Sequence, residues 1–252
     1  MDLLSLLTDL HADGARQGPG SPAATLQALA LARAAGLSEG PLKMADLGCG
    51  TGASTTVLAT ALRGSLTALD LIPAFLARLE ANLARLDTQA TVSLLEGDMN
   101  APPFEAGALD LLWSEGAIYN LGFRQGLQAW RPLLKLGGFL AVSELTWLTA
   151  TRPSALTAHW EAAYPEVGTA GAKLQVLEEE GFRPVGYFPL GPDSWLENYY
   201  HPLEARFPAF LTRHAGEAAA EALIAEERAE IALYRTHQEF VSYGFYIAQR
   251  RA

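Results

Sequence analysis

The sequence predicts an α/β fold in which mostly parallel strands alternate with helices. Short apolar runs alternate with longer helical stretches from residue 42 onwards, and a glycine-rich turn follows the first of these runs. Half of the 252 residues are hydrophobic and the mean hydropathy is +0.10, so the chain has enough apolar surface for a substantial core. Alternation of this kind is typical of a parallel sheet covered by helices.

The order of these elements predicts a sheet of seven strands. Helices are expected between the strands at 53–63, 73–86, about 122–134 and 171–180, the third of them made irregular or ended early by Pro132. The last strand is expected to run antiparallel to its neighbours. The predicted strands are 42–47, 65–70, 91–95, 108–113, 138–145, 182–190 and 241–249.

Segments outside this alternation are predicted to form a helical cap. Helices are expected at 2–12, at 22–35 after the capping residue Ser21, at about 154–163 and at about 216–239. About fifty residues separate the last two strands, and they include Trp195, Tyr199 and Tyr200 beside His201. This aromatic group either lines a binding site or packs in a core. We interpret residues 1–252 as one domain, with 1–40, 146–170 and 191–238 forming the cap.

The composition argues against several kinds of partner. A formal charge of −10 and a pI near 5.0 disfavour a nucleic-acid backbone or an anionic membrane. No apolar run approaches the roughly 18 residues that span a bilayer, and the N-terminus lacks a basic leader, so a cytoplasmic location is expected. The single cysteine, Cys49, excludes a cysteine cluster, and no pair of histidines has metal-site spacing, so no metal is predicted.

The segment Asp46-Leu-Gly-Cys-Gly-Thr-Gly52 carries the strongest functional signal. A strand, a glycine turn and a helix in that order are typical of a nucleotide site at the carboxyl end of a parallel sheet. Gly48, Gly50 and Ala53 also satisfy the dinucleotide fingerprint, and Asp70, 22 residues after Gly48, fits both kinds of site. The Asp46 carboxylate would repel a pyrophosphate and favour a ligand with an ammonium and a sulfonium, as in S-adenosylmethionine.

This segment resembles motif I of the class I S-adenosylmethionine-dependent methyltransferases. The resemblance covers about residues 42–145, because further motifs of that family follow in order at 68–71, 96–99, 109–114 and 133–142. It implies a Rossmann-like sheet with an antiparallel last strand and S-adenosylmethionine as cofactor. The segments 18–21 and 113–120 also resemble a little-characterised bacterial subgroup that acts on small molecules. The fifty residues before the last strand depart from the plain family pattern.

The resemblance also implies which residues bind the cofactor. The acid at the end of the second strand, Asp70, accepts hydrogen bonds from the ribose hydroxyls, and Asp98 accepts from the adenine amino group. Met99 either packs on the adenine face or belongs to the core, while Ser114 follows the fourth strand beside the donor methyl. The predicted cofactor-binding residues are Asp46, Gly48, Gly50, Gly52, Asp70, Leu71, Asp98, Met99 and Ser114.

The predicted catalytic residues are Glu115, Tyr119 and His201. Glu115 either orients the acceptor and takes its proton or bonds local backbone donors. The chain lacks the Asn/Asp-Pro-Pro-Tyr/Phe sequence of methyltransferases that act on nucleic-acid amino groups. The predicted function is methyl transfer to a small molecule. A noncatalytic S-adenosylmethionine-binding protein and a nicotinamide-dependent oxidoreductase are the alternatives, and the acceptor and the oligomeric state stay open.

Overall fold

The strands form one mixed sheet in the structure, a computed structural model that describes residues 2–251. The sheet order is β3-β2-β1-β4-β5-β8-β7, with the two-residue β6 paired to the end of β5. β1 to β5 run parallel, and β8 is antiparallel to both β5 and β7. This confirms the predicted fold class; only β6 was not predicted. The strands are β1 (Leu42–Leu47), β2 (Gly64–Asp70), β3 (Ala90–Glu96), β4 (Leu109–Glu115), β5 (Leu134–Trp147), β6 (Gly168–Thr169), β7 (Phe182–Pro189) and β8 (Val241–Arg250).

The helices begin and end at residues that the sequence marks. Ser21 caps the second helix by accepting a hydrogen bond from the Ala24 amide at 3.0 Å. The helix predicted to reach residue 134 ends at Trp130, because Pro132 allows only a short 3₁₀ turn there. The helices are α1 (Leu3–His11), α2 (Pro22–Ala34), α3 (Ala53–Ala61), α4 (Pro73–Leu83), α5 (Phe123–Trp130), α6 (Ser154–Ala163), α7 (Ala170–Glu179), α8 (Pro192–Trp195), α9 (His201–Arg213) and α10 (Ala218–His237).

The sheet is buried on both faces, and the two faces follow the two-residue period of the strands. Met44 and Leu111 pack on one face against α2 and α3. Their neighbours Ala45 and Leu112 pack on the other face against α5 and α7. The strands are therefore apolar on both sides, as expected for a parallel sheet with helices on each face.

A second core lies under α1, α6 and residues 192–237. These three segments are called the cap from here on. The predicted cap also included α2, which packs on the sheet. Trp195 is at its centre: the ring stacks on Tyr234 at 4.4 Å, and Nε1 donates to Ser242 on β8 at 3.0 Å. Trp195 and Tyr200 are buried, so these two aromatic residues belong to a core. α8 and α9 were not predicted. They form a continuous helical stretch with the five-residue π-helix Leu196–Tyr200 between them.

The sheet order creates a crevice at the carboxyl ends of β1 and β4. β2 and β3 lie on one side of β1, while β4 and β5 lie on the other, so the chain direction of the crossovers reverses there. Ligands of open parallel sheets bind at such a point. Within residues 2–251, no helix is long and apolar enough to cross a membrane. The cytoplasmic location stays a prediction.

Candidate active site

A cavity of about 870 Å³ lies between the carboxyl ends of the strands and the cap. The wall on the sheet side carries the glycine turn and the residues that follow β2, β3 and β4. The opposite wall is formed by α1 and by parts of the segment 192–237. The lining includes Gly48, Gly50, Asp70, Leu71, Asp98, Met99, Glu115 and Tyr119 on the sheet side, Arg16 and Gln17 from the loop after α1, and Leu4, Leu7, Thr8, His11, Tyr199 and Glu227 on the cap side.

The glycine turn needs glycine for two different reasons. Gly48 and Gly50 have φ angles of +70° and +55°, which other residues rarely adopt. A Cβ atom at Gly48 would lie 2.5 Å from the Ala117 Cβ, and one at Gly50 would lie 2.3 Å from the Gln17 Oε1. The turn is therefore packed closely on both sides. Gly52 caps the start of α3 at φ +88° and does not line the cavity.

Gln17 bonds the loop between α1 and α2 to the glycine turn. Its Oε1 accepts from the Thr51 amide at 2.9 Å, and its Nε2 lies 2.9 Å from the Thr51 hydroxyl. The same Nε2 donates to the carbonyl of His11 at 3.3 Å. The end of α1 is thus tied to the turn through one side chain.

Asp46 lies behind the turn and does not line the cavity. The two-residue period places it on the same sheet face as Met44, towards α3, where Ser54 and Thr55 donate to its Oδ2 at 2.7 and 2.6 Å. Its Oδ1 is buried without a partner. Burial raises the pKa of Asp46 to about 7, although the two hydroxyl groups oppose the shift.

Asp70 and Leu71 lie at the cavity wall after β2. The Asp70 carboxylate accepts from the amides of Gly50 at 2.7 Å and Ile72 at 3.0 Å, which fixes its position beside the turn. Burial raises its pKa, and the backbone hydrogen bonds oppose this. The neighbouring Leu71 is 64% exposed and lines the cavity, so its side chain is accessible to a ligand.

Asp98 and Met99 lie on the same wall, after β3. Asp98 is exposed, and its Oδ1 accepts from the Asn100 amide at 2.8 Å. The Met99 carbonyl accepts from Trp130 Nε1 at 2.7 Å, so its backbone is held against α5. The structure therefore brings Asp70, Leu71, Asp98 and Met99 to one side of one cavity.

The two residues at the end of β4 point in opposite directions. The Ser114 hydroxyl is fully buried and donates to the Leu47 carbonyl at 2.8 Å, so it joins β4 to β1 and does not line the cavity. Glu115 is on the other face and accepts from Arg16 and Thr25, each at 2.6 Å, and from Trp113 Nε1 at 3.0 Å. Both carboxylate oxygens of this predicted proton acceptor thus already have donors from the protein.

The other two predicted catalytic residues, Tyr119 and His201, differ in position, because only Tyr119 lines the cavity. Tyr119 lines the cavity, is 42% exposed, and contacts the ring of Tyr164 edge to face. His201 is exposed at the start of α9, does not line the cavity, and has its Nδ1 3.1 Å from Glu197. His201 therefore has no route to a ligand in the cavity in this arrangement, and its catalytic assignment stays an untested prediction.

Sequence reasoning missed the residues that reach the cavity from distant segments. Arg16 and Gln17 lie beside the Gly18–Ser21 segment that the resemblance singled out, so their position gave a partial signal. His11 and Glu227 had no such signal, because each is one polar residue in an amphipathic segment. Tyr199 belongs to the aromatic group for which a binding site was one of the two alternatives, and it lines the cavity. Cys49 is buried and burial raises its pKa, which disfavours a thiolate. No metal-holding group of three or more acid, histidine or cysteine side chains occurs in the described part of the chain.

Comparison with known proteins identifies the central part of the chain. Residues 44–138 match a family profile described as a methyltransferase domain. These residues form a methyltransferase domain. The match confirms the enzyme class that the motifs predicted. No curated protein matches the sequence.

Solved structures share the methyltransferase fold over the whole chain. An S-adenosylmethionine-dependent methyltransferase from Geobacter sulfurreducens, in complex with S-adenosyl-L-homocysteine, is 18% identical with a TM-score of 0.81 over 99% of each chain. A second, from Thiobacillus denitrificans with the same ligand, is 19% identical with a TM-score of 0.79, over 100% of this chain and 99% of that one. Phosphoethanolamine N-methyltransferase 2 of Haemonchus contortus, in complex with phosphomonomethylethanolamine and S-adenosylhomocysteine, is 17% identical with a TM-score of 0.68, over 99% of this chain and 57% of that one.

Proposed function

We propose that this methyltransferase transfers a methyl group from S-adenosylmethionine to a small molecule held between the sheet and the cap. The observation that carries the proposal is the single cavity of about 870 Å³, which runs from the glycine turn to the cap. Its volume is in the range of small-molecule sites, which is about 300–1,000 Å³. The cap belongs to the same domain over residues 1–252 in this proposal, because its core packs against Val241 and Leu145 of the sheet.

The sheet side of the cavity has the chemistry of a nucleoside site. Asp70 offers a fixed carboxylate to the ribose hydroxyls, and Asp98 offers one to the adenine amino group. Leu71 and Met99 supply apolar side chains beside these acids, and the exposed leucine gains a partner if adenine packs on it. Gly48 allows the positive φ and the close packing against Ala117 that shape this part of the cavity wall.

Arg16 is suited to the carboxylate of the donor. Among the described residues that line the cavity, it is the one arginine or lysine. Its guanidinium gives one nitrogen to Glu115 and its Nε is 3.4 Å from the Gly18 carbonyl, so donors remain for a ligand. Asp70 offers negative charge at the cavity wall to the ammonium and sulfonium groups, whereas Asp46 lies behind the turn.

Methyl transfer asks little covalent chemistry of the protein. S-adenosylmethionine, when bound, supplies a methyl group that is already activated by the sulfonium. The residues of the chain hold the two reactants in line, and the cap excludes water from them. The net charge of −10 supports a small molecule over a nucleic acid as the acceptor.

Calorimetry with three ligands tests the donor assignment. S-adenosylmethionine and S-adenosylhomocysteine are expected to bind at about micromolar affinity, or roughly 8 kcal/mol, and NADH to show no comparable binding. Binding of NADH alone would instead support a nicotinamide-dependent oxidoreductase.

Turnover separates the enzyme from a noncatalytic binding protein. Release of S-adenosylhomocysteine is measured over a panel of small metabolites, with a nucleic-acid substrate as the comparison. Release with a metabolite supports the proposal, whereas donor binding without release from any panel member favours the noncatalytic alternative.

A further inference from the structure

The cap end of the cavity differs chemically from the sheet end. α1 contributes Leu4, Leu7, Thr8 and His11, and the segment 192–237 contributes Tyr199 and Glu227. The surface is thus apolar with two titratable groups close together. A ligand that fits it has an apolar body and a small number of polar atoms.

His11 is a buried side chain with no hydrogen bond to the protein. It is 8% exposed, its ring lies parallel to the Tyr199 ring at 6.3 Å, and its Nδ1 is enclosed without a partner. This leaves Nε2 as the nitrogen available to a ligand in the cavity. Burial and the nearby Arg206 lower the pKa of His11 to about 4, so the ring is neutral near pH 7.

Glu227 lies opposite His11 at a distance that one ligand atom can bridge. Its Oε1 is 4.0 Å from His11 Nε2, which is too far for a direct hydrogen bond. One oxygen or nitrogen atom of a ligand, to the side of the line that joins them, can lie at hydrogen-bonding distance, about 2.8 Å, from both. A hydroxyl or a neutral amine there accepts from one side chain and donates to the other, whereas an ammonium donates to both His11 Nε2 and Glu227 Oε1.

The charges around His11 and Glu227 disfavour an anionic ligand. Burial raises the pKa of Glu227 to about 7, and the neighbouring acids Glu230 and Glu226 add to the shift. The cation that lines the cavity, Arg16, is already paired with Glu115 at 2.6 Å. Arg206 also lies near His11, but it does not line the cavity and its Nε donates to the Leu10 carbonyl at 3.1 Å. A carboxylate or phosphate at the cap end would therefore meet acids without an unpaired cation at the cavity wall.

We propose that the methyl acceptor is an uncharged or cationic small molecule whose hydroxyl or amine bridges His11 Nε2 and Glu227 Oε1. This inference rests on the proposed function, because it assigns the acceptor end of the same cavity. His11 and Glu227 then determine which acceptors bind, while the sheet side binds the donor.

Four aromatic probes that differ in one group test the inference. Phenol, anisole, benzylamine and benzoate are titrated into the protein loaded with S-adenosylhomocysteine, and the dissociation constants are measured by ligand-observed NMR. Phenol is expected to bind about tenfold more tightly than anisole, which lacks the donor hydrogen. Benzylamine is expected to bind at least tenfold more tightly than benzoate.

Two variants assign these preferences to the pair. In His11→Phe, which keeps an aromatic ring against Tyr199, the phenol-to-anisole ratio is expected to fall, because only Glu227 is left to bind the hydroxyl. In Glu227→Leu, the preference for benzylamine over benzoate is expected to disappear. His237→Phe and Glu221→Leu, outside the cavity, are the matched controls and should keep both ratios.

The outcomes divide cleanly. Unchanged ratios in both cavity variants, benzoate binding as tightly as benzylamine, or no binding by any of the four probes would overturn the inference. Circular dichroism checks that each variant is folded. If one of the two cavity variants does not fold, the ratio measured in the other variant tests the inference. Failure of the unliganded protein to bind S-adenosylhomocysteine, measured first, would count against the proposed function instead.

Discussion

Three buried acids near the site are stabilised by three different kinds of donor. Asp46 accepts from two hydroxyl groups, Asp70 from backbone amides, and Glu115 from Arg16, Thr25 and Trp113. A buried carboxylate needs such donors, because an unpaired charge in the interior is costly. The kind of donor also decides availability: Asp70 lines the cavity with its position fixed, whereas the oxygens of Glu115 are already shared among side chains.

Asp70→Asn is expected to weaken donor binding about ten- to a hundredfold. The change keeps the size of the side chain but removes the charge that strengthens hydrogen bonds to hydroxyl groups, which is worth about 1.5–3 kcal/mol. Calorimetry with S-adenosylhomocysteine measures the effect, and Asp87→Asn on an exposed loop is the control. Equal affinity in both variants would assign Asp70 to holding the Gly50 and Ile72 amides alone.

Glu115→Gln is expected to lower the free energy of unfolding by about 3–5 kcal/mol. The change leaves the buried Arg16 without its counter-ion, and breaking a buried pair has an effect of this size. Urea denaturation measures it. Lys135→Met, which breaks an exposed pair with Asp110, should cost no more than about 1 kcal/mol.

The opposite result would restore the catalytic assignment of Glu115. A glutamine variant that keeps the stability of the native protein but loses turnover about a hundredfold would indicate a proton acceptor. A loss of stability without a matched loss of turnover indicates that the pair mainly holds the loop after α1.

At the scale of elements, the loop between α1 and α2 connects the cap to the donor end of the cavity. Gln17 bonds both Thr51 of the glycine turn and the carbonyl at the end of α1. The Thr51 hydroxyl donates in turn to the Gly14 carbonyl at 2.9 Å. Movement of α1 away from the sheet requires these bonds to break, so we expect the loop to slow the exchange of a bound donor.

Gln17→Ala is expected to speed dissociation of S-adenosylhomocysteine about tenfold. It removes the side-chain bonds between the loop and the turn, and a loss of about 1.4 kcal/mol is in the range of one or two hydrogen bonds. Stopped-flow displacement measures the rate. Gln128→Ala, an exposed position on α5, should leave the rate unchanged, and an equal rate in the Gln17 variant would contradict the role of the loop.

At the scale of the whole molecule, acids are buried in the sheet and at the wall where the cap meets the cavity. Asp46 lies behind the turn, Glu144 is fully buried on β5, and Glu227 lies at the cap wall. Burial raises the pKa of each to about 7. Burial lowers the pKa of His11 to about 4 in the same interior.

These shifts predict that stability falls as the pH rises. Between their ordinary pKa values near 4 and about 7, the three acids keep protons in the folded state that the unfolded chain has released, so rising pH favours unfolding. His11 has the opposite sign, because between about 4 and 6.5 the unfolded chain binds its proton and the folded protein does not. The three acids together change the free energy of unfolding more than His11 does. Above about pH 6.5, only the acids among these four groups contribute to its pH dependence.

The free energy of unfolding is therefore expected to drop by about 2 kcal/mol or more between about pH 5 and pH 8. Urea denaturation of the ligand-free protein at several pH values measures the slope. Glu144→Gln should flatten it, while Glu221→Gln on the exposed side of α10 should not. A stability that rises over this range would contradict the prediction.

The sequence by itself determined the alternation of strands and helices, the glycine turn and the positions of Asp70 and Asp98. These features depend on local rules: the two-residue period of a strand, the helix start at Ser21 and the backbone freedom of glycine. α9 was missed because Pro208 lies inside it, and local rules count an interior proline against a helix although a buried apolar face can outweigh it. α8 has only four residues, which is too short to show a helical period.

Only the tertiary structure decided which side chains meet in the cavity. Arg16 pairs with Glu115 across 99 positions of sequence, and His11 at the end of α1 lies 4.0 Å from Glu227 on α10. Packing likewise decided that Asp46 faces α3 and that Ser114, on the opposite face of the sheet, bonds to β1. Such contacts depend on how separate segments bury their apolar surfaces together, and no local pattern in the sequence specifies that arrangement.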